Sequence, residues 1–363
     1  MMMYLFYIFL CKGDKGMNER VDEIKKTIQS FFDQGTVIIV GSGLSCSEGI
    51  SGMGNLAKKL IKDVPKMLNS QENVKSWEEV ADALKGGQDL ETALQQNQVP
   101  DDVENAIMEC TYSLISDEDK SIFLEVIESG RVLRFSDFLS YFNLASYDLT
   151  IITTNYDLLI EYACEAKGFH YTDSFSGKII SKYSPEDAKE EMLNGVRNHK
   201  RPLNHYKRHI KLYKPHGSIN WKLINGRHNR INHVDCGKPC IITPGANKYE
   251  KGYEVPFDYH IGRMGQEIDN ATRLIFIGYG FNDNHLETHM KKTNNMCKPK
   301  LIITRTLTDN ARKVIENYPH TIAIEANVVN SQCCGTKVYY SKEIYELKDK
   351  NIWDIRELIR EVF

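Results

Sequence analysis

The sequence predicts an α/β fold, a Rossmann-like doubly wound parallel sheet with one large helical insertion and a second smaller insertion. Thr36–Val40 is a short, β-branched run that is apolar throughout, as expected for a strand covered on both faces. Similar runs return at Leu149–Thr153, Arg273–Gly278, Lys300–Thr304 and Thr321–Ile324. Segments with helical periodicity separate most of these runs, and this alternation is typical of a doubly wound sheet.

An amphipathic helix is predicted to begin just after Met17 and to lead into the first strand. Its apolar positions recur at helical spacing, and Gly35 is expected to cap its C-terminal end. Residues 1–16 form a poorly patterned N-terminal extension whose apolar part is too short to span a bilayer. Met17 is therefore a plausible start of the protein. The helical positions are Val21, Ile24, Ile28 and Phe31, and Ile352, Ile355, Ile359 and Val362 predict a last helix in the same way.

Two segments interrupt the alternation of strands and helices. Residues 53–146 carry only helix signals, and within them Pro100-Asp101-Asp102 opens a helix that places Val103, Ile107 and Cys110 on one face. Residues 174–209 are polar and basic and show no clear periodicity. We therefore expect one domain over residues 17–363, with a helical insertion at about 53–146 and a polar, basic insertion at about 174–209.

The composition bounds the location and the partners of the chain. Of its 363 residues, 26% are charged, with both signs mixed, and the formal net charge is -3. A net charge this small and negative does not attract a polyanion such as nucleic acid to the chain as a whole. Nucleic acid is therefore not the default partner, and no membrane association is predicted. The chain has nine cysteines, an odd number, and it is long enough to fold without disulfide bonds. Both observations indicate reduced thiols and a cytoplasmic location.

Glycines and small polar residues follow the first two predicted strands. Gly41-Ser42-Gly43-Leu44-Ser45 continues directly from the first strand, where glycines let backbone N–H groups approach a phosphate. A purely structural tight turn explains the same glycines equally well. Thr153-Thr154-Asn155-Tyr156-Asp157 ends the second strand, at the edge where ligands of open α/β sheets collect. The alternative is that Asn155 or Asp157 only caps the helix expected to begin at Leu158.

Two more clusters complete the set of candidate functional residues. Pro215-His216-Gly217-Ser218 follows the strand-like segment 209–213, although a lone histidine is more often structural than catalytic. Gly278-Tyr279-Gly280-Phe281-Asn282-Asp283 closes another apolar strand with a glycine-containing loop. The four clusters are far apart in the chain, but each follows a predicted strand.

Taken together, the order and setting of these clusters resemble the sirtuin superfamily. That family's glycine-alanine-glycine loop with a following serine is matched by Gly41 to Ser45, with Ser42 in place of the alanine. Its threonine-glutamine-asparagine-isoleucine-aspartate motif is matched by Thr153 to Asp157, and its histidine-glycine pair by His216-Gly217. The Thr-Thr-Asn-Tyr-Asp, His-Gly-Ser and Gly-Tyr-Gly-Phe-Asn-Asp variants resemble the branch found in bacterial anti-phage defence NAD hydrolases.

The resemblance implies a regulated enzyme that cleaves the nicotinamide–ribose bond of NAD to nicotinamide and ADP-ribose. Asn155 would contact the ribose and order the attacking water, Asp157 would hold the nicotinamide amide, and His216 would act as general base. The Gly41 to Ser45 loop would hold the pyrophosphate. The residues expected to contact NAD are Gly41, Ser42, Gly43, Ser45, Thr154, Gly217, Gly278, Tyr279 and Asp283.

The sequence departs from the sirtuin pattern in two places. Sirtuin deacetylases usually carry a zinc module with paired Cys-x-x-Cys motifs, which supply four ligands in tetrahedral geometry. Here three residues separate Cys236 from Cys240, while Cys333 and Cys334 are adjacent, so no zinc is expected. The family's glycine-threonine-serine loop is replaced by Gly278-Tyr279-Gly280, which changes the expected contacts to ribose and phosphate.

Three other functions stay open at this point. An NAD-dependent protein deacylase is the alternative to the hydrolase, and a non-catalytic NAD or ADP-ribose sensor in an assembly is the second alternative. A basic stretch permits contact with nucleic acid phosphates, although a solvated insertion is the simpler reading. Its residues are Arg197, Lys200, Arg201, Lys207, Arg208, Lys211 and Lys214. From the resemblance we also expect control by homo-oligomerisation or by a partner protein such as an ATPase or another sensor.

Overall fold

The computed structural model describes residues 14–194, 205–245 and 251–363. Its strands, in chain order, are β1 (Thr36–Val40), β2 (Leu149–Thr153), β3 (Tyr171–Thr172), β4 (Phe175–Ser176), β5 (Ser181–Tyr183), β6 (Leu193–Asn194), β7 (His205–Tyr206), β8 (Ile210–Tyr213), β9 (Gly217–Ile224), β10 (Arg227–Arg230), β11 (Lys238–Ile241), β12 (Arg273–Ile277), β13 (Lys300–Ile303), β14 (Thr321–Val329), β15 (Gln332–Tyr340) and β16 (Glu343–Lys348).

A nine-stranded sheet forms the centre of the molecule, in the order β16-β15-β14-β13-β12-β1-β2-β8-β3. The strands from β14 to β3 run parallel, and β15 and β16 add an antiparallel edge. From β1 the chain builds outward first through β2 and β8, and later through β12, β13 and β14 on the other side. The predicted doubly wound α/β fold is confirmed, and all five predicted strands are present.

Helices cover both faces of the sheet. They are α1 (Asp14–Gln29), α2 (Ser42–Glu48), α3 (Met53–Asp63), α4 (Gln71–Lys85), α5 (Leu90–Gln96), α6 (Asp101–Glu128), α7 (Arg134–Leu139), α8 (Leu159–Ala166), α9 (Pro185–Glu190), α10 (Phe257–Asn270), α11 (Asn284–Met290), α12 (Thr293–Met296), α13 (Asp309–Asn317) and α14 (Ile355–Val362). In β1, Ile38 and Val40 pack against α1, α7, α8 and α14, while Val37 and Ile39 pack against α10, α11 and α13. Such two-sided burial explains why this strand is apolar from Val37 to Val40.

The region between α2 and β2 is helical. Helices α3, α4 and α5 and the first half of α6 share a hydrophobic cluster of their own, which includes Leu60 and Trp77. Val103, Ile107 and Cys110 lie in this cluster, as their spacing on one face predicts. The second half of α6 packs on the central sheet instead. The insertion boundaries at about 53 and 146 stay a prediction.

A second, antiparallel sheet has the order β11-β9-β10-β5-β4 and packs around Trp221 and Phe257. Two of its strands, β4 and β5, lie in the segment 174–209, where the sequence shows no clear periodicity. They escape prediction because they are only two and three residues long. Residues 195–204 lie outside the described residues, and so do three of the predicted basic positions, Arg197, Lys200 and Arg201.

Two details of the N-terminal region differ from the prediction. Helix α1 begins at Asp14, before Met17, while residues 1–13 lie outside the described residues. The helix ends at Gln29, so Gly35 does not cap it. Gly35 precedes β1 with a positive φ of 85°, and a Cβ there would lie 2.6 Å from Thr272 Oγ1. Its role is thus a turn that enters the sheet.

No helix in the described ranges combines the length and the apolar character that crossing a bilayer requires.

Candidate functional site

The four predicted clusters meet at the carboxyl ends of β1, β2, β8 and β12. Backbone hydrogen bonds join the loops: Thr154 N donates to Val40 O (3.3 Å), and Gly41 N donates to Ile277 O (2.9 Å). The loop after β8 is attached in the same way, because Ile219 N donates to Tyr156 O (3.0 Å). Chain connectivity reverses between β1 and β12, so this edge is the switch point where open α/β sheets bind ligands.

A buried hydroxyl connects the first two clusters. Ser45 Oγ donates to Asp157 Oδ2 (2.6 Å) and accepts from Asn155 Nδ2 (2.7 Å), while Asn155 Nδ2 also donates to Gly41 O (2.9 Å). All three side chains expose a tenth of their surface or less. Because both Nδ2 hydrogens of Asn155 are used, its Oδ1 is the atom left to face a ligand.

The third and fourth clusters are joined by an imidazole and a carboxylate. His216 Nε2 lies 2.8 Å from Asp283 Oδ2, and both residues are buried. Asp283 also accepts from Leu286 N (3.1 Å) as the N-cap of α11. A carboxylate on Nε2 favours the tautomer that carries its proton there, which leaves Nδ1 as a lone-pair acceptor. Asp283 was predicted to contact NAD, and the structure places it where it orients His216.

Lys214 is a residue of the site that sequence reasoning missed. Its side chain is fully buried, and Nζ donates to Asp157 O (2.6 Å) and to Glu161 Oε1 (2.9 Å). Burial raises the pKa of Glu161, and the Lys214 ammonium opposes that rise. The sequence assigns Lys214 to a basic stretch that is either solvated or, as the less favoured alternative, in contact with nucleic acid. Both interpretations are wrong for this residue, because its ammonium is buried and already paired. Its position two residues before His216 is the signal that could have revealed its role.

The glycines of two loops have a packing role. A Cβ on Gly41 would lie 2.6 Å from Gly278 O, and one on Gly43 would lie 2.6 Å from Gly278 Cα. Gly43 N donates to Gly278 O (2.9 Å), so this amide is engaged within the protein. Ser42 is exposed beside it, and Thr154 is half-buried. The Tyr279 ring is buried and packs with Phe276 and Phe281.

Helix capping at the second cluster falls to aspartates. Asp157 Oδ1 accepts from Leu159 N (3.3 Å), and Asp119 Oδ1 accepts from Leu158 N (2.8 Å), at the start of α8. Asn155 instead directs its amide at Gly41 and Ser45. Asp157 therefore caps the start of α8 in addition to its contact with Ser45, whereas Asn155 does not cap this helix and is available for another role.

Asp119 is buried at the junction of α6 and α8. Its Oδ2 accepts from Tyr162 Oη (2.5 Å), and His233 Nε2 lies 3.4 Å from the same hydroxyl. Burial raises the pKa of Asp119 to about 7, and the bonds from Tyr162 and from the Leu158 amide oppose that rise. The nearby carboxylates of Asp157 and Glu161 raise it further.

The cysteines in the described part of the chain are free thiols. Cys240 is buried, and its Sγ lies 3.6 Å from His228 Nδ1, while Cys333 and Cys334 are exposed on β15. Within the described residues, no three His, Cys, Asp or Glu side chains are grouped as metal ligands.

The fold and the site together define an α/β protein whose candidate site lies at the switch point of a doubly wound sheet. Residues 149–321 match the protein family described as the SIR2-like domain. This match confirms the resemblance to the sirtuin superfamily over residues 149–321. The match includes the second, third and fourth clusters, whereas Gly41 to Ser45 precedes it. Among curated proteins, no relative matches the chain.

Solved structures of Sir2 proteins are similar to this chain at a low level. One, described as the structural basis for the mechanism and regulation of Sir2 enzymes, is 10% identical with a TM-score of 0.39, covering 84% of this chain and 92% of that one. A Sir2 homologue–NAD complex is 14% identical with a TM-score of 0.35, covering 83% and 87%. A mutant Sir2 homologue–ADP-ribose complex is 14% identical with a TM-score of 0.35, covering 82% and 89%. At this level of similarity, the site rests on the chain's own geometry.

Gly217 supports a first prediction, on stability. Its φ is 81°, and a Cβ there would lie 2.1 Å from Cys240 O, so Gly217→Ala should lower the free energy of unfolding by more than about 1 kcal/mol. Gly54→Ala is the control, because Gly54 lies in α3 with open space around it and should gain up to about 1 kcal/mol. Urea unfolding measures both; equal stability of the two variants would contradict the close packing at Gly217.

Asp119 supports a second prediction, on pH. An unfolded carboxyl has a pKa of about 3.9, so between about pH 4 and pH 7 the native state holds a proton that the unfolded chain has released. This stabilising contribution is complete below pH 4 and is lost as the pH rises through 7. From pH 5 to pH 8, the parent should lose about 3 kcal/mol more unfolding free energy than Asp119→Asn. Parallel slopes of stability against pH would show that Asp119 does not titrate in this range.

Proposed function

We propose that the chain binds NAD at the switch-point edge of its sheet and hydrolyses the nicotinamide–ribose bond, releasing nicotinamide and ADP-ribose. The observation that carries the proposal is the pairing of two constellations at one edge: Asn155 with Ser45 and Asp157, and His216 with Asp283. The match to the SIR2-like domain supports the choice of NAD. The resemblance of the motif variants to those of bacterial anti-phage defence NAD hydrolases supports a role as an NAD-depleting effector of such defence.

The chemistry of the bond explains why these residue types suit it. Loss of nicotinamide develops positive charge at the ribose carbon, as in glycoside hydrolysis, so the site must hold the sugar and present an oxygen nucleophile. Asn155 offers a neutral acceptor, Oδ1, whose direction is fixed because its Nδ2 is bound to Gly41 and Ser45. Such an acceptor can align an O–H of water or of the ribose without adding charge.

His216 supplies the base in this proposal. Asp283 holds Nε2, so the imidazole presents Nδ1 to a ribose hydroxyl or to water. As the ring accepts a proton, the Asp283 carboxylate stabilises the resulting imidazolium. Asp157 is fixed by Ser45 and by the Leu159 amide, which suits the role of holding the nicotinamide amide.

Nicotinamide release from NAD, supplied without any acylated peptide, tests the proposal. Asn155→Ala and His216→Ala should each reduce the rate by at least about 100-fold while keeping a cooperative melting transition near the parent's. Asn317→Ala and His170→Ala are matched controls at exposed positions and should retain the parent's rate. Parent-like turnover by either site variant would remove that residue from the mechanism. Turnover that requires an acylated peptide would instead identify a deacylase. Binding of NAD without turnover would identify a sensor.

Asp283→Asn tests the positioning of His216. The new amide can donate to Nε2, which moves the imidazole proton to Nδ1 and removes the base, while its oxygen can still cap α11. We expect kcat to fall on the order of 100-fold, with KM changed less than about threefold and with an altered dependence of kcat on pH. Unchanged kcat and an unchanged pH profile would show that Asp283 serves only as a helix cap.

A further inference from the structure

One exposed cation follows the strands that form the candidate edge. In the six residues after each of β1, β2, β8, β12 and β13, the only lysine or arginine residues are Lys214 and Arg305. Lys214 is buried and bound to Glu161. The Arg305 side chain is exposed and makes no ion pair or hydrogen bond with another described residue. Its guanidinium is therefore the positive group available to a ligand along this edge.

The loop that carries Arg305 adjoins the loop of the fourth cluster. Strand β13 pairs with β12 in parallel, and Gly278 N donates to Ile303 O (2.8 Å) where the two strands end. Farther along the two loops, Thr308 Oγ1 donates to Gly280 O (2.7 Å). Arg305 thus lies one strand beyond the Gly278 loop, on the side of β12 away from β1 and β2.

The length of this edge suits the two riboses of a dinucleotide. Three strand spacings separate β2, which precedes Asn155, from β13, which precedes Arg305. At about 4.8 Å each, they amount to roughly 14 Å. In the proposed function, on which this step rests, the nicotinamide ribose lies at Asn155 and the pyrophosphate lies beside the glycine loops after β1 and β12. The adenosine ribose then reaches the end of β13.

The acid closest in the fold to this loop is already occupied. Glu325 is buried, and its Oε2 accepts from Leu307 N (3.0 Å). The same carboxylate accepts from Arg312 Nη2 (3.1 Å) and from Tyr339 Oη (2.6 Å). Rossmann-type sites for NAD use an Asp or Glu to bind the adenosine 2′-hydroxyl, whereas sites for NADP use an arginine for the 2′-phosphate. A carboxylate with all these partners does not suit the first role.

The residues around Arg305 suit a phosphate better than a hydroxyl. Thr306 is exposed beside it, and Thr304 is half-buried and donates its Oγ1 to Thr306 O (3.2 Å), which leaves the Thr306 hydroxyl available as a donor. Asp309 is exposed at the start of α13 and makes no ion pair with Arg305. A guanidinium can donate two parallel hydrogen bonds to a phosphate, and its charge favours a dianion over a neutral hydroxyl.

We propose that the dinucleotide site accepts NADP and binds it more tightly than NAD, with Arg305 holding the 2′-phosphate of the adenosine ribose. Arg305 is then a specificity-determining residue, about three strands away from the bond that is cleaved. It contributes to the choice of substrate and takes no part in the cleavage itself.

Calorimetric titration of the full chain with ADP-ribose and with ADP-ribose 2′-phosphate tests the proposal without any cleavage. The two ligands differ only in the phosphate group, and about 0.15 M salt screens non-specific attraction. We expect the 2′-phosphorylated ligand to bind at least about tenfold more tightly. Nicotinamide release should then show a higher kcat/KM for NADP than for NAD, with similar kcat values, because the phosphate is remote from the reacting bond.

Arg305→Gln locates the phosphate contact. This variant should raise the Kd for ADP-ribose 2′-phosphate at least about tenfold and change the Kd for ADP-ribose less than about twofold. Arg227→Gln is the matched control, because it removes the same charge at an exposed position on β10 and should bind both ligands as the parent does.

Three results would overturn the proposal, and they differ in what else they affect. Equal Kd values of the parent for the two ligands would overturn this inference alone and leave the NAD site in place. An equal loss of affinity for both ligands in Arg305→Gln would assign the guanidinium to the pyrophosphate instead. Binding of neither ligand would overturn the proposed function together with this inference.

Discussion

The buried ammonium of Lys214 is the interaction on which the candidate site depends. It binds the Asp157 carbonyl and the Glu161 carboxylate, and it lies two residues before His216. An interior charge is tolerated only where its partners are in place, and removing one partner typically costs about 3–5 kcal/mol. The loop that carries Asn155 and Asp157 is therefore held against the segment that carries His216, although these segments are far apart in sequence.

Close backbone packing fixes the other half of the same edge. Gly41 and Gly43 lie against Gly278 at distances that leave no room for a Cβ, so the loops after β1 and β12 have one mutual arrangement. Ser45, one turn into α2, thereby reaches Asn155 and Asp157. The glycines thus serve the site by letting two loops meet, and this role is the structural alternative considered for them at the outset. Their packing and a role in binding phosphate can coexist only if ligand contacts use groups other than the Gly43 amide.

The sequence predicts best those strands whose residue types are determined by burial. The five strands identified from apolar runs are covered on both faces, so apolar residues occupy nearly all of their central positions. Arg227–Arg230 and Glu343–Lys348 are strands too, but they lie in a small sheet or at an edge, where polar side chains are tolerated and the signal disappears. The motifs locate Asn155 and His216, because residues of this kind at strand ends point to one sheet edge.

The partners of those residues depend on contacts that the sequence does not record. Ser45 and Asp157 are 112 positions apart, and the charge pattern assigns Lys214 to a solvated stretch although it is buried. The role of Asp283 is equally hard to predict from the sequence, because an aspartate suits both the capping of α11 and the orientation of His216. Such assignments become possible only when the topology is known.

The segment from Asn155 to Leu158 connects the candidate site to the buried carboxyl group of Asp119. Its side chains at 155 and 157 contact Ser45, while the Leu158 N–H donates to Asp119. Burial raises the pKa of Asp119 to about 7, and an ionised carboxylate accepts the Leu158 amide bond more strongly than the neutral acid does. The protonation state of Asp119 therefore affects how firmly the start of α8 is held, directly beside Asp157. Linkage is reciprocal, so a ligand that requires this loop in its ordered form must lower the pKa of Asp119 by the corresponding amount.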